Sequence, residues 1–573
     1  MKDPAMFKHI AIIGGGPSAL FVLKKLTDSS RSDCILDIFE AGPDTGSGFP
    51  YSREGACYEH ISNVSGNEIP PLVGSTAEWL KTLPAATLNK YGISLPEFND
   101  DCVFPRLLLG EYLHKQFELL LQRAIEKNMV VHVHVNSRVT DIIHREKKEK
   151  VTLQVSNKTY EGFDHVIICT GHQWPVTCEG IQPGFYDSPY PPAKIARTFN
   201  HAIAIKGSSL TAIDAIRTLA LQNGRFTRHN NNQLVYTVNE KSNKFCIAMY
   251  SLHGLLPAVR FHLEESHLPA DSVLPEQAIS HHREQNDGFL LLDFIFEKYF
   301  KEPLRKKDPV FYDHIRHMTM ESFVDEMMNL RERAEPFQLL RAEYEEARLS
   351  IKRKRPVYWK EMLTVLSFSM NFPAKYFSAE DMQRLQKTLM PLISIIIALM
   401  PQDSCEELFA LHNAGKLSII PVAKDSHYEL HPGQGVIYYH TDEAGKSHAT
   451  VYNTFIDCTG QRQLWIKDFP FASLVKDGRV SQALLRFRST ETAIDYQKEN
   501  AAAVIEENGR YYLKVPGLAI TDCFNVVGTD NQQNPRIYLM AVPFMGGFNP
   551  DYSGLDFCEA AAQKIVQDIF KQT

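Results

Sequence analysis

The sequence predicts an α/β protein: two parallel-sheet units of unequal size that carry a helical insertion. Three observations predict it. Short apolar runs alternate with helical patterns over residues 8–41 and again over 200–251, which is how buried parallel strands and their crossover helices read. Each stretch breaks at glycine directly after its first strand, at Gly14 to Gly16 and at Gly207. Between about residues 264 and 415 the strand patterns stop, and aromatic, Leu and Met residues recur at helical spacing.

Composition narrows the class. The chain has 573 residues, 44% hydrophobic and 23% charged, an ordinary globular profile with room for three or four domains. Its 61 Lys+Arg stand against 68 Asp+Glu, a net charge of −7, so no basic footprint for nucleic acid is expected. The longest apolar stretch, 389–400, is interrupted by Pro391 and Ser394 and is short of the roughly 20 residues that span a bilayer. The N-terminus MKDPAMFKHIAIIGGG has too short an apolar run for a secretion signal. The 10 cysteines include no C-x-x-C pair, so reduced thiols and a cytoplasmic location are expected. His132 and His134 alternate on one strand, and His314 and His317 share a helix face. Neither pair has a third ligand nearby in sequence, so no metal is expected.

The first unit begins with the strand HIAII at residues 9–13, then Gly14-Gly15-Gly16-Pro17-Ser18-Ala19, then a helix from Leu20. A second strand, CILDIF at 34–39, ends in Glu40. Gly14 permits a tight turn, Gly16 lets backbone approach a pyrophosphate, and Ala19 keeps helix close to strand. Pro17 and Ser18 open a helix whose free amides and dipole favour that anion. Glu40 is placed to accept hydrogen bonds from ribose hydroxyls. These parts together predict a Rossmann-like dinucleotide site.

Strands are expected at 129–135, 151–155 and 164–169, the last ending in Thr170-Gly171. A second unit starts with the strand AIAIK at 202–206, followed by Gly207-Ser208 and a helix to about residue 222. Its turn has one glycine where a full fingerprint has two or three. The apolar stripes at 289–296 and 327–343 read as helices whose repeated residues pack a core. Lys352 to Arg355 read as a solvated helix end before Pro356. Strands return at 417–420, 436–440, 450–456 and 536–542. A glycine-rich loop, 543–554, then enters a terminal helix at 555–570. Ser553, Gly554 and Leu555 there present free amides suited to an anionic ring oxygen. The expected domains are a discontinuous unit of 1–195 and 416–573, a smaller unit of 196–263, and a helical block of 264–415 that covers the site and shapes its pocket.

These pieces resemble the FAD/NAD(P)-binding flavoproteins related to class B flavin monooxygenases. The matching stretches are IIGGGPSAL, GSGFPYS, HISNV, FPRLLLGEYL, DHVIICTGHQWP, GSSLTAIDA, YSLHGLLP and FIDCTGQ. The resemblance implies a Rossmann-like FAD-binding domain with a second, smaller NAD(P)-type unit. It implies FAD contacts at Gly14, Gly16, Ala19 and Glu40, and a crossing between the flavin and nicotinamide parts at Thr170-Gly171. Arg106 would lie near the FAD phosphates or at the substrate entrance. The sequence departs from the pattern at the single-glycine second turn and at Leu252, where relatives often carry Arg before His253-Gly254.

The family includes flavin N-monooxygenases, among them one that oxidises aspartate to nitrosuccinate. The resemblance therefore implies NADPH or NADH as reductant, O2 as co-substrate and a small amine or amino acid as substrate, hydroxylated through a flavin C4a-hydroperoxide. His60, Asn63, His253, Arg260 and Asn549 are the candidate polar groups for substrate and catalysis. A dehydrogenase or oxidase of an amino acid or amine, without a nicotinamide site, is the alternative. A non-catalytic FAD-binding redox sensor ranks third. Substrate identity and oligomeric state stay open.

Overall fold

The computed structural model describes residues 7–29, 33–96, 98, 102–145, 149–230, 232–264, 274–551 and 554–571. The chain opens with β1 (Lys8–Ile13), α1 (Pro17–Asp28) and β2 (Cys34–Phe39). Next come α2 (Arg106–Glu126), β3 (Val130–His134) and β4 (His165–Ile168). β1 pairs in parallel with β2 and β4, and β2 with β3. Ile10 to Ile13 are buried, because helices cover both faces of such a sheet and an alternating pattern has no solvent side to serve. Pro17 opens α1, where its missing N–H costs nothing. Ala19, Leu20, Phe21 and Leu23 carry that helix into the core.

The second unit starts at β5 (Phe185–Tyr186) and continues through β6 (Ala202–Lys206), α3 (Leu210–Asn223) and β7 (Cys246–Leu252). The helical block follows. Its later helices include α4 (Pro336–Arg353), α5 (Tyr358–Met370) and α6 (Gln402–Asn413). The expected helix over 327–343 is two, because one helix ends at Glu332 and Pro336 begins the next. Proline lacks the N–H a continuing helix needs but is suited to a first turn. The chain then forms β8 (Leu417–Val422) and β9 (Thr454–Asp457), returns through β10 (Asn525–Val527) and β11 (Gln533–Leu539), and ends in α7 (Gly554–Lys571).

Two principal sheets result. The first has the order β10-β11-β4-β1-β2-β3, parallel except for its β10 edge. The second has the order β5-β9-β6-β7-β8 and is parallel throughout. This redraws the expected domain boundary at 416. β8 and β9 pair with β7 and β6 and so belong to the second unit, which leaves β10, β11 and α7 to complete the first. The helical block also divides. Leu292, Phe300, Leu363 and Ile393 share one continuous core with the first sheet. Phe337 and Leu340 of α4, with Cys405 and Leu408 of α6, share the core of α3 and the second sheet. Its apolar stripes are core packing. Among the described residues no helix is long and apolar enough to cross a membrane.

The first turn of each unit is a point of steric necessity. Gly14 has φ +99°, and a Cβ there would lie 2.6 Å from the Cys169 carbonyl oxygen. Gly207 repeats this, with φ +106° and a Cβ 2.6 Å from the Cys458 oxygen. Gly14→Ala and Gly207→Ala are each expected to lose at least about 2 kcal/mol of stability, from left-handed strain and collision together. Chemical denaturation of each variant against the parent chain checks this.

Candidate active site

The first glycine turn sits at the carboxyl edge of its sheet, wedged against the start of the Cys169-Thr170-Gly171 crossing. Gly16 is extended and begins α1 with no side-chain cap, and the first turn carries no acid. Its missing Cβ leaves room for Gly48, whose Cα would otherwise lie 3.2 Å away. The Gly46-Ser47-Gly48 loop closes over the turn through Gly46 N, which donates to Gly15 O at 2.7 Å. Glu40 stands beside it, its two oxygens accepting Gly15 N and Gly42 N at 2.6 Å each. A carboxylate has about four acceptor sites, so lone pairs remain for ribose hydroxyls. An uncapped helix start, a turn without side chains and an adjacent acid fit the pyrophosphate and ribose of a dinucleotide.

α7 brings a second helix start to the same edge. Ser18 Oγ lies 3.4 Å from Cys558 Sγ, so the N-terminal turns of α1 and α7 are neighbours. Gly554 has φ +81° and Leu555 is buried, while Ser553 lies outside the described residues. The loop before α7 is held by α5. Asn371 Nδ2 donates to Asp551 O at 2.6 Å, its Oδ1 accepts Asp551 N at 2.9 Å, and the Ser367 hydroxyl donates to the Asp551 carboxylate. Asn549 is buried in this loop, with its N–H bonded to Met545 O at 2.8 Å.

The second turn copies the first in spacing. Gly207, Ser209 and Ala212 stand where Gly14, Gly16 and Ala19 stand, and Cys458-Thr459-Gly460 stands for Cys169-Thr170-Gly171. Ser208 is tied down, donating to Leu255 O at 2.7 Å and accepting from Ser251 Oγ at 2.9 Å. The two crossings are joined to each other. Gln461 Oε1 accepts Gln173 N at 2.7 Å, and its Nε2 donates to Gln173 O.

Between the units runs a buried polar seam. Oδ2 of Asp214, on α3, accepts from Arg106 Nη1 at 2.6 Å and from the Tyr190 hydroxyl at 2.6 Å. Burial opposes the Arg106 charge, but Asp214 and then Tyr190 outweigh it, so the guanidinium is held charged. Thr218, one turn along α3, donates to Glu59 at 2.9 Å and lies 2.9 Å from His60 Nε2. His60 Nδ1 accepts Cys57 N at 3.3 Å, which makes Nε2 the protonated nitrogen of a neutral ring. Burial pushes the imidazole down in pKa despite Asp214.

These contacts reassign several expected site residues. Arg106 pairs with the second unit instead of standing open toward phosphates or substrate. His60 has both ring nitrogens engaged inside the seam. Arg260 is a clamp, with Nη1 on Asn63 O at 2.5 Å and Nη2 on Ser65 Oγ at 2.9 Å and on Glu68. Asn63 also donates to Ala398 O at 3.4 Å, which fastens the first unit to the helical block. His253 is exposed at the end of β7, with φ +55° and Nδ1 3.9 Å from Glu332. Sequence reasoning missed Asp214, Tyr190, Thr218, Gln461, Ser367, Asn371 and Asp551. The signal for the seam was Asp214, Arg217 and Thr218 at helical spacing on one face of an otherwise apolar helix.

Comparison with known proteins places the first unit in a class. Residues 11–173 match the FAD-NAD(P)-binding family, and residues 275–397 match the YdhS-like middle domain. The first unit is thus a Rossmann-like FAD/NAD(P)-binding domain, and the helical block is similar to the YdhS-like middle domain. The chain is similar to the uncharacterized protein YdhS of Escherichia coli (strain K12). The two are 28% identical over 471 residues, 82% of this chain and 86% of that protein. Among solved structures it is similar to the ornithine N-hydroxylase of Kutzneria sp. 744, at 12% identity and a TM-score of 0.45 over 99% of both chains. It is also similar to a cadaverine monooxygenase of Erwinia amylovora, at 8% identity and a TM-score of 0.45 over 98% of this chain and 94% of that one.

Two measurements probe this geometry. Asp214→Asn leaves Arg106 buried without its counter-charge, and a loss of about 3–5 kcal/mol is expected in denaturant unfolding. The double variant Arg106→Met with Asp214→Leu should recover most of that loss. Asp556, in the first turn of α7, is pushed up to about 7, by burial first and then by Glu68 and Glu559. A carboxyl raised on folding contributes stability that is complete below its unfolded value, near pH 4, and lost as pH rises through 7. Asp556→Asn is therefore expected to flatten the fall in melting temperature between pH 5 and 8, a difference on the order of 1–3 kcal/mol.

Proposed function

We propose that the protein is an FAD-dependent oxidoreductase reduced by NADPH or NADH, and that it is a monooxygenase that hydroxylates the nitrogen of an amine or amino acid. One observation carries the reading. The chain builds two parallel-sheet units, each with a glycine turn packed on a Cys-Thr-Gly crossing, and locks the two crossings together through Gln461 and Gln173. That arrangement suits two dinucleotides bound across one seam. The resemblance of motifs along the chain supports the finer choice of N-hydroxylation.

FAD, when bound, supplies the redox chemistry: it accepts a hydride equivalent from a nicotinamide and delivers electrons to O2. The remaining work belongs to the chain. The free amides of Gly16, Ser18 and Ala19 would hold the pyrophosphate, and Glu40, which accepts the Gly15 amide, would orient the ribose. The Gly207 turn and the start of α3 receive the nicotinamide nucleotide. The Arg106–Asp214 pair and the Gln461–Gln173 joint fix the distance between the units. α5, through Asn371 and Ser367, holds the 543–551 loop closed and keeps water from the reacting face.

A second reading is an amino-acid or amine oxidase without a nicotinamide site. Ser209 in place of a second glycine, and Ser208 bonded to Leu255 and Ser251, favour it. Adding NADPH, NADH or amino acids to the FAD-loaded chain without oxygen separates the two. The monooxygenase reading expects the flavin absorbance to bleach with a reduced nicotinamide, followed in air by substrate-dependent nicotinamide consumption and a hydroxylated nitrogen product by mass spectrometry. Bleaching by an amino acid but by neither nicotinamide would replace it with the oxidase reading.

A further inference from the structure

A groove of about 230 Å³ lies on the side of the molecule where the helical block meets a small antiparallel sheet. The sheet is formed by residues Gln482–Arg486, Val504–Glu507 and Arg510–Leu518. Asp287 and Phe289 line the groove from the helical block. Arg486, Arg488, Thr490, Arg510 and Tyr511 line it from the sheet and the helix that follows. Phe289 is buried beneath two cations. The Arg486 guanidinium lies 4.2 Å from its ring centroid and that of Arg488 5.7 Å, so the two charges stand within about 10 Å of each other around one aromatic ring.

Of the three arginines in this groove, only Arg488 is matched by a carboxylate among the described residues. Arg488 pairs with Asp381 at 2.6 Å. Among the described residues the Arg486 guanidinium donates to one acceptor, the Asp287 backbone oxygen, at 2.5 Å. Among the described residues the Arg510 side chain has no ion pair or hydrogen bond, and its backbone pairs with Glu507 in the sheet. Asp287 is the only carboxylate in the lining. Arg486 is thus held in place by a ring and a carbonyl, with donors left over, and the exposed Arg510 side chain lines the same groove. A guanidinium offers five donors in a planar fork that matches phosphate geometry. Thr490 and Tyr511 add hydroxyls, which can bond an ester oxygen.

We propose that this groove is an anion site for a small phosphate-bearing molecule, bound by Arg486 and Arg510 with Arg488 at the rim. The volume suits it, since about seven waters at about 30 Å³ each would fill the same space. The ring of Phe289 is already covered, so the site selects charge and size and not an aromatic base. It stands apart from the glycine turns and does not rest on the redox reading above.

The test uses the full chain loaded with FAD, so that the first nucleotide site is filled. Inorganic phosphate and glycerol phosphate are titrated by calorimetry, with malonate as a carboxylate dianion of similar charge. Saturable binding of either phosphate is expected. Arg510→Gln and Arg486→Gln should each weaken it roughly tenfold or more, while Arg225→Gln, at an exposed arginine on the hairpin strand Gly224–Arg228, should leave it unchanged. Tighter binding of glycerol phosphate supports a phosphate ester as the occupant, and tighter binding of inorganic phosphate supports the free anion. The Arg510 side chain is exposed and only its backbone joins the sheet, so an unchanged melting temperature is expected for its variant. No saturable phosphate binding, equal binding by Arg510→Gln and the parent, or binding of malonate alone would overturn the proposal.

Discussion

The position of the two nucleotide-type units relative to each other depends on one buried carboxylate. Asp214 Oδ2 takes bonds from Arg106, at the start of α2, and from Tyr190, which lies between β5 and β6 of the second unit. Apolar surface alone would bury the seam but would not select one register, because such contacts are non-directional. Charge-assisted bonds are short and oriented, so a slide of one unit along α3 strands a charge away from water. The pair is weak evidence for net stability and stronger evidence for a fixed geometry. A fixed geometry is what electron transfer between two separately bound cofactors requires.

The glycine turns show the same logic at shorter range. At Gly14 and Gly207 the strand ends against a carbonyl oxygen of the crossing strand, and any side chain would fill the space through which the two strands meet. Each turn is therefore defined by a partner more than a hundred residues later in the chain. The repeat of Cys-Thr-Gly at 169–171 and 458–460 is the sequence trace of that shared construction. Ser209 keeps the spacing of the second turn but restores the side chain that Gly16 lacks. This is the physical difference between the two sites, and it bears on how closely a second pyrophosphate can approach.

Much of the first unit was legible because its determinants are local. Strand β1, the turn, α1 and the acid at Glu40 lie within one short stretch, and each demands a particular residue type. The terminal helix was legible for the same reason. The membership of β8 and β9 was not. A short apolar run states that a strand is buried on both faces but carries no record of which sheet it joins. On sequence they group with the terminal helix in the first unit, whereas their partners are β7 and β6. The role of Arg106 was hidden likewise. A motif places the residue at a helix start, but only the fold shows that Asp214 is opposite.

The helical block explains why the site residues expected from loops turn out to be fastened. Asn63, Arg260 and Asp551 all lie where the block meets one of the two units, and each is bonded across that junction, Asn63 to Ala398, Arg260 N to Met400 O and Asp551 to Asn371. A hydrogen-bonded polar group in a buried junction leaves its partner unsatisfied if it swings toward a ligand, at a cost of about 1–3 kcal/mol. Residues in that position hold walls in place. Groups that act on a substrate are then to be sought where the walls face inward, on the 543–551 loop that α5 clamps and at the paired helix starts of α1 and α7. Asp556 is the ionisable group at that edge whose protonation changes near neutral pH. The same burial that makes its charge costly would make it responsive to a charged ligand placed beside it. A bound anion would raise its proton affinity further, and a bound ammonium would lower it.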